Sequence, residues 1–148
     1  MSRLLTAVET FLRKDDWKFT TEDDKYIRLG VNGKNGTFNG TFIIYDTRFS
    51  FYFTIPIYVP LEKRAAVCEY ICRANYGLNL GNLEMDMEDG EVRYKTSSFW
   101  EEEYMPCDEF FKDMIYININ TLDKYSKGIN EVVYGGINPQ KAVEDVEG

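Results

Sequence analysis

The sequence predicts an α+β domain in which helices pack on an antiparallel sheet, and three stretches carry that reading. Residues 49–59 set Phe49, Phe51, Phe53, Ile55, Ile57 and Val59 on one side of an unbroken two-residue period, the pattern of a half-buried strand. Residues 4–12 place Leu4, Leu5, Val8, Phe11 and Leu12 on one face of a helix. Asp89-Gly90 stands between two alternating runs, and the pair suits a tight hairpin because Gly accepts positive φ and Asp tolerates it.

In chain order, Ser2 caps the first helix, which ends near Lys14. Asp15-Asp16 opens a loop that Trp17 and Phe19 anchor, or in which they form a short extended piece. A three-strand meander follows. Residues 26–31 put Ile27, Leu29 and Val31 on one face. Asn32-Gly33-Lys34-Asn35-Gly36 is a turn cluster without the residue order of a phosphate loop, so a hairpin connection is expected. Residues 37–45 point Phe38, Gly40, Phe42 and Ile44 inward. Pairing Ile44 with Phe49 sets Gly40 opposite Phe53, where the ring covers the missing side chain. Pro56 falls on the other face and marks a strand end or an edge.

A helix starts after Pro60, with Ala65, Cys68, Ile71 and Cys72 as its apolar stripe and Leu61 behind them. It stops at Asn75-Tyr76-Gly77, with Gly77 available as a left-handed cap. With a two-residue loop at Asp89-Gly90, the hairpin register sets Met87 opposite Val92, Met85 opposite Tyr94 and Leu83 opposite Thr96. The other face then pairs Asp86 with Arg93 and Glu84 with Lys95. The acidic run Asp86, Glu88, Asp89, Glu91 lacks the spacing of a calcium loop and reads as a charged hairpin face. Pro106 suits the start of a long helix striped by Phe110, Phe111, Met114, Asn118, Thr121, Leu122, Tyr125, Ile129 and Val132, closed by Gly135-Gly136. One last turn through Val143 and an acidic tail to Gly148 complete the chain. This gives one domain over residues 1–137 and a tail over 138–148.

The order of basic helix, Asn75, Gly77, Gly81 and a hairpin turning at Asp89-Gly90 resembles the YbjN family over residues 4–138. These are small bacterial proteins described as sensory transduction regulators. The resemblance implies the fold α-β-β-β-α-β-β-α, similar to that of type III secretion chaperones. It implies no catalytic residues.

Composition narrows the function. Of 148 residues, 44% are hydrophobic and 16% aromatic, which suits a globular domain with a sizeable core. The net charge is −8, and the excess lies in residues 97–148, with 11 acidic residues against 4 basic. That balance, and the lack of a basic patch interleaved with aromatics, argues against nucleic acid and anionic membranes as partners. With no histidine, Ser-His-Asp and Cys-His catalysis and the commonest zinc ligand are ruled out. Cys68, Cys72 and Cys107 form no paired framework, and a buried structural role is expected for the helical pair. No metal or cofactor is expected. No secretory or membrane-spanning segment is evident, so the cytoplasm is the expected compartment.

The outer face of the meander carries Ile43, Tyr45, Tyr52 and Tyr58, more apolar than a solvated face requires. These are the candidate protein-contact residues, because Tyr is enriched at interfaces. The competing readings are ordinary exposure of amphipathic tyrosines, since scattered exposed apolar residues are normal, and cover by the long C-terminal helix. The leading function is a non-enzymatic protein-binding module, regulator- or chaperone-like. A small-ligand sensor or carboxylate enzyme built on Glu84 and Asp86 is the alternative, and a homodimer whose partner is itself is the third.

Overall fold

The computed structural model describes residues 2–148. Their elements run α1 (Arg3–Lys14), β1 (Phe19–Glu22), β2 (Tyr26–Asn32), β3 (Thr37–Ile44), β4 (Arg48–Tyr58), α2 (Arg64–Gly77), β5 (Asn82–Met85), β6 (Glu91–Phe99), α3 (Asp108–Tyr134) and α4 (Pro139–Glu147). The six strands form one antiparallel sheet in the order β1-β2-β3-β4-β6-β5. The helices bury their apolar sides in the same cluster as the inward-facing strand residues, which leaves the other sheet face without a helix over it.

The strongest periodicities fold as the sequence predicts. α1 buries Leu4, Leu5, Val8, Phe11 and Leu12, and the Ser2 hydroxyl accepts the Leu4 N–H at 3.2 Å. Ile44 pairs with Phe49 and Gly40 with Phe53, so the inner faces of β3 and β4 interdigitate in register. A Cβ on Gly40 would lie 2.6 Å from the Phe53 ring, which explains the missing side chain in the middle of a strand. α3 is continuous through Ile117-Asn118-Ile119-Asn120, and fully buried Asn118 bridges it to the sheet. Its amide accepts the Phe53 N–H at 3.1 Å and donates to the Phe51 carbonyl at 3.0 Å and to Thr96 Oγ1 at 3.3 Å. A polar residue on the apolar stripe is therefore matched to the polar groups of the strand backbone.

The hairpin register differs from expectation by two residues. Met85 faces Val92, Leu83 faces Tyr94, Glu84 faces Arg93 and Asn82 faces Lys95. The expected Asp86–Arg93 cross-strand pair does not form. The loop is wider than Asp89-Gly90, because two carboxylates reorganise it. Asp86 Oδ1 accepts the Glu88 N–H at 2.8 Å and Asp89 Oδ1 accepts the Glu91 N–H at 2.9 Å, while Asp86 N–H closes the loop on the Glu91 carbonyl at 2.9 Å. Gly90, at φ +84°, presses on the chain end of β4, where a Cβ would sit 2.3 Å from the Val59 carbonyl oxygen. A two-residue shift preserves side-chain parity, so the charged and apolar faces survive it.

α2 is rotated from its expected phase. Val67, Tyr70, Ile71 and Ala74 are buried, Cys68 is half-buried, and Ala65, Cys72 and Leu61 are exposed. The expected burial of the two cysteines is therefore corrected. Small apolar residues ring this helix, and the large Tyr70 decides the phase: its hydroxyl donates to the Tyr125 carbonyl at 2.8 Å, and its ring lies over Gly128. Gly77 is the last helical residue rather than a left-handed cap, and the left-handed residue comes later, at Gly81. Two further elements exceed the expected order. Phe19–Glu22 pairs fully with β2 as an edge strand, and Pro139–Glu147 forms a helix instead of a single turn and a tail. The Asn138 side chain caps α4 at the Gln140 N–H, 2.9 Å away, and α4 buries Ala142 and Val143.

Candidate functional site

The candidate contact residues sit on the helix-free face of the sheet, which is built by cross-strand rows. One row runs Tyr26–Ile43–Ser50–Ser97, the next Arg28–Thr41–Tyr52–Lys95–Asn82, and the third Gly30–Asn39–Thr54–Arg93–Glu84. Ile43, Tyr45 and Tyr52 are half-buried and Tyr58 is 65% exposed. α3, which was the competing cover for these residues, lies on the opposite face, where Phe111 meets Phe49 at 6.0 Å between ring centroids.

The structure brings Ile43 and Tyr45 together with Tyr26 at one end of the face, and Tyr52 in the adjoining row. It does not bring in Tyr58. The β4–β6 register breaks between Thr54 and Tyr58, and at ~3.3 Å per residue Tyr58 lies about 20 Å beyond Tyr52. The Tyr45 end is held rigidly: its N–H donates to the Arg48 carbonyl at 2.9 Å, and its carbonyl accepts the Trp100 indole N–H at 3.2 Å.

Cations lie over these rings. Lys25 sits 5.3 Å from the Tyr26 ring and 5.2 Å from that of Tyr45, Arg48 is 4.7 Å from Tyr45, Arg28 is 5.8 Å from Tyr26, and Arg93 is 4.4 Å from Tyr52. With Lys95 they make five basic groups on this face of an acidic protein. Glu22 pairs with Arg28 at 3.1 Å, and Glu84 takes both Arg93 at 2.5 Å and Lys95 at 3.2 Å. Partial burial pushes the Glu84 carboxyl up, but the bonds from Arg93 and Lys95 outweigh it and hold the group below its ordinary range. Glu84 is thus a structural anion on this surface. Where Gly30 carries no side chain, the face dips into a hollow of about 540 Å³ bounded by Lys18, Arg28, Asn39 and Thr41.

Sequence reasoning missed Tyr26, Lys25, Arg28 and Arg48, and it placed Arg93 and Lys95 on the charged hairpin face without joining them to the tyrosines. A signal was available for Tyr26: with Ile27, Leu29 and Val31 inward, Tyr26 falls by parity on the outer face, and the β2–β3 register then sets it beside Ile43. The cations belong to strands far apart in the chain, so only the assembled sheet gathers them.

Two other sequence features resolve into structure. The Asn32–Gly36 turn presents the Lys34 and Asn35 N–H groups as an anion nest, but Asp123 of α3 fills it, accepting at 2.9 and 2.8 Å. Glu101-Glu102-Glu103 forms a turn closed by a bridge between Glu101 and Tyr104. Among the described residues no group of three or more Cys, Asp or Glu is placed to hold a metal ion, and no helix is long and apolar enough to cross a membrane.

A family model described as "Putative bacterial sensory transduction regulator", YbjN, matches residues 4–130. Among solved structures, the chain is similar to YbjN from E. coli, described as "a putative transcription regulator", with a TM-score of 0.65 and 13% identity. That match covers 80% of this chain and 85% of the other. At this identity the likeness shows the fold. A search of the curated proteins finds no match. With its model spanning most of the chain and the six-stranded α+β fold in common with a solved relative, this chain belongs to the YbjN family.

Proposed function

We propose that the chain is a non-enzymatic protein-binding module, regulator- or chaperone-like, which engages its partner through the helix-free sheet face. The observation that carries this reading is the cluster of Tyr26, Ile43, Tyr45 and Tyr52 on one sheet face, with no helix over it among the described residues. Tyrosines offer a large amphipathic surface at low entropic cost, and cations stacked on them pre-set their rotamers. Tyr58 lies outside the cluster and is expected to contribute least. The family's description as a regulator, and that of the E. coli relative, agree with a binding role.

A second reading rests on one specific observation. The face interleaves rings with Lys25, Arg28, Arg48, Arg93 and Lys95, the combination on which single-stranded nucleic acid stacks. The sequence was expected to hold no such patch, whereas the sheet gathers these cations from segments far apart in the chain.

The double variant Tyr45→Glu with Tyr52→Glu tests both. New carboxylates there would meet Lys25, Arg48 and Arg93, so the thermal midpoint is expected to hold. A protein that co-purifies with the wild-type chain from its own cytosol and is lost with the variant supports the first reading. Salt-sensitive oligonucleotide binding lost with the variant supports the second. Unchanged retention of the same partner by a normally folded variant refutes the role of this face.

A further inference from the structure

We propose that the free half of the β6 edge, with the groove beside it, binds an extended segment of another protein as an added strand. That segment carries large apolar residues at alternate positions and basic residues at its flanks.

The edge follows from ladder alternation. Asp86 N–H donates to the Glu91 carbonyl, so Glu91 faces β5, whereas Trp100 N–H donates to the Thr47 carbonyl and so faces the β4 side. Arg93, Lys95, Ser97 and Phe99 therefore direct their backbone groups away from β4. β5 supplies Glu84 opposite Arg93 and Asn82 opposite Lys95, and there it ends. The chain leaves at Gly81, where a Cβ would lie 2.7 Å from the Lys95 carbonyl oxygen. Beyond that point, among the described residues, no strand lies on the β5 side of Ser97 or Phe99, which pair only with β4. The remaining β5 edge is treated differently: the Asn75 side chain donates to the Leu83 carbonyl at 2.9 Å and accepts its N–H at 2.8 Å, closing that edge as a strand would.

A groove of about 760 Å³ runs beside the open half, between β6 and α3, with Leu80, Phe110, Met114 and Ile117 in its lining. Leu80 is 58% exposed and Phe110 is 40% exposed, while Phe99, 83% exposed, stands on the other side of the edge. An added strand would direct one set of side chains into the groove and the alternate set towards Phe99. A second copy of β6 fits poorly, because its inward positions here are Thr96 and Ser98, too small for an apolar groove. The charge around the groove selects the flanks: Asp113 lines it, and Glu101-Glu102-Glu103 continues from the end of the edge.

The probe is a synthetic peptide alternating leucine with threonine, with two lysines at each end, titrated by fluorescence anisotropy and checked for self-association beforehand. Two versions carry N-methyl groups on alternate amides, one on each set. Saturable binding is expected, lost with one N-methyl set and kept with the other, because only one set faces β6. Replacing the lysines with glutamates is expected to weaken it at least tenfold. Ser97→Pro removes an edge donor that no ladder bond uses, and is expected to weaken binding about tenfold with the fold intact. Tyr45→Glu with Tyr52→Glu should leave peptide binding unchanged, which separates this site from the tyrosine face. Absence of saturable binding, equal loss with both N-methyl sets, or indifference to a correctly folded Ser97→Pro variant overturns the proposal. A self-associated dimer that Ser97→Pro dissolves would assign the edge to a second copy and overturn it as well.

Discussion

The two faces of the sheet use the same residue types to opposite ends. Inside, aromatic rings pack on one another, as with Phe42 and Phe51 at 4.2 Å or Phe51 and Phe53 at 4.9 Å between centroids, and polar groups occur where a buried partner awaits them. Outside, aromatic rings meet cations and leave their edges to solvent. Aromatic content alone therefore says little about function. The inner rings are fixed by volume, and the outer ones by charge. Substitutions should therefore be severe on one face and mild on the other.

The largest effect is expected at Gly128, where α2 and α3 cross on the packed side. A Cβ there would lie 2.2 Å from the Tyr70 hydroxyl oxygen, and that hydroxyl is tied to α3. Gly128→Leu should destabilise the domain by about 3 kcal/mol or more, through overpacking of a site that cannot open cheaply. Urea denaturation measures this, and a loss under about 1 kcal/mol would mean that the crossing adjusts freely.

Next comes Asn118→Ala. The truncation leaves the Phe51 carbonyl and the Phe53 N–H with one fewer partner in a dry interior, an expected cost of about 2–3 kcal/mol. The outer face should respond far less. Tyr52→Ala there should cost about 1 kcal/mol or less, since one cation–π contact and a half-exposed ring are lost. A reversal of that order in the same denaturation series would break the contrast between the faces.

How far these features were legible depends on what fixed each one. The β3–β4 register could be read because large residues alternate without a gap along β4, Gly40 fits under the Phe53 ring, and a short turn joins the strands. The α1 face could be read because its large apolar residues recur at helical spacing. The phase of α2 could not, because Ala65, Ala66, Cys68 and Cys72 are too small to decide it, and the choice falls to Tyr70 meeting a glycine on a helix far along the chain. The hairpin register was missed by two residues because Asp86 and Asp89 hydrogen-bond their own loop, a local competition that an Asp-Gly rule ignores. α4 was hidden in acidic composition, with Ala142 and Val143 as its buried apolar contacts. For the candidate site, the tyrosines of β3 and β4 were visible from alternation, and their cations were not, since cross-strand neighbours are a property of the sheet.

The helical layer should also fail at high pH through its tyrosines. Burial, then the bond to Glu147 at 2.9 Å, pushes the Tyr125 phenol from 10.0 up to about 12, and burial raises Tyr70 in the same direction. A folded-state pKa above the unfolded value means that the native state holds the proton more tightly. That stability is complete below pH 10.0 and is lost as pH rises towards about 12. Tyr125→Phe should flatten this alkaline limb in denaturation midpoints taken across the range. An unchanged limb would place the sensitivity elsewhere.

The smallest effect belongs to the outer face, at Glu84. Its carboxylate sits between Arg93 and Lys95 with a side chain 29% exposed, so water screens much of the attraction. Glu84→Gln should cost about 1 kcal/mol or less near neutrality. The sign in acid is opposite to that of the tyrosines. Burial raises the carboxyl, the bonds from Arg93 and Lys95 lower it further, and the net shift is downward from 4.5. The pair therefore stabilises the fold above that value and loses its contribution as pH falls through the lowered folded-state pKa. The wild-type and Glu84→Gln chains should differ in urea midpoint at neutral pH and converge in acid. Because Arg93 also stacks on Tyr52, losing Glu84 frees it to hold the ring alone, and any binding by the proposed tyrosine face should be kept. If Glu84→Gln instead cost as much as Asn118→Ala, the outer face would be part of the packed structure, and the distinction between a core side and a contact side would fail.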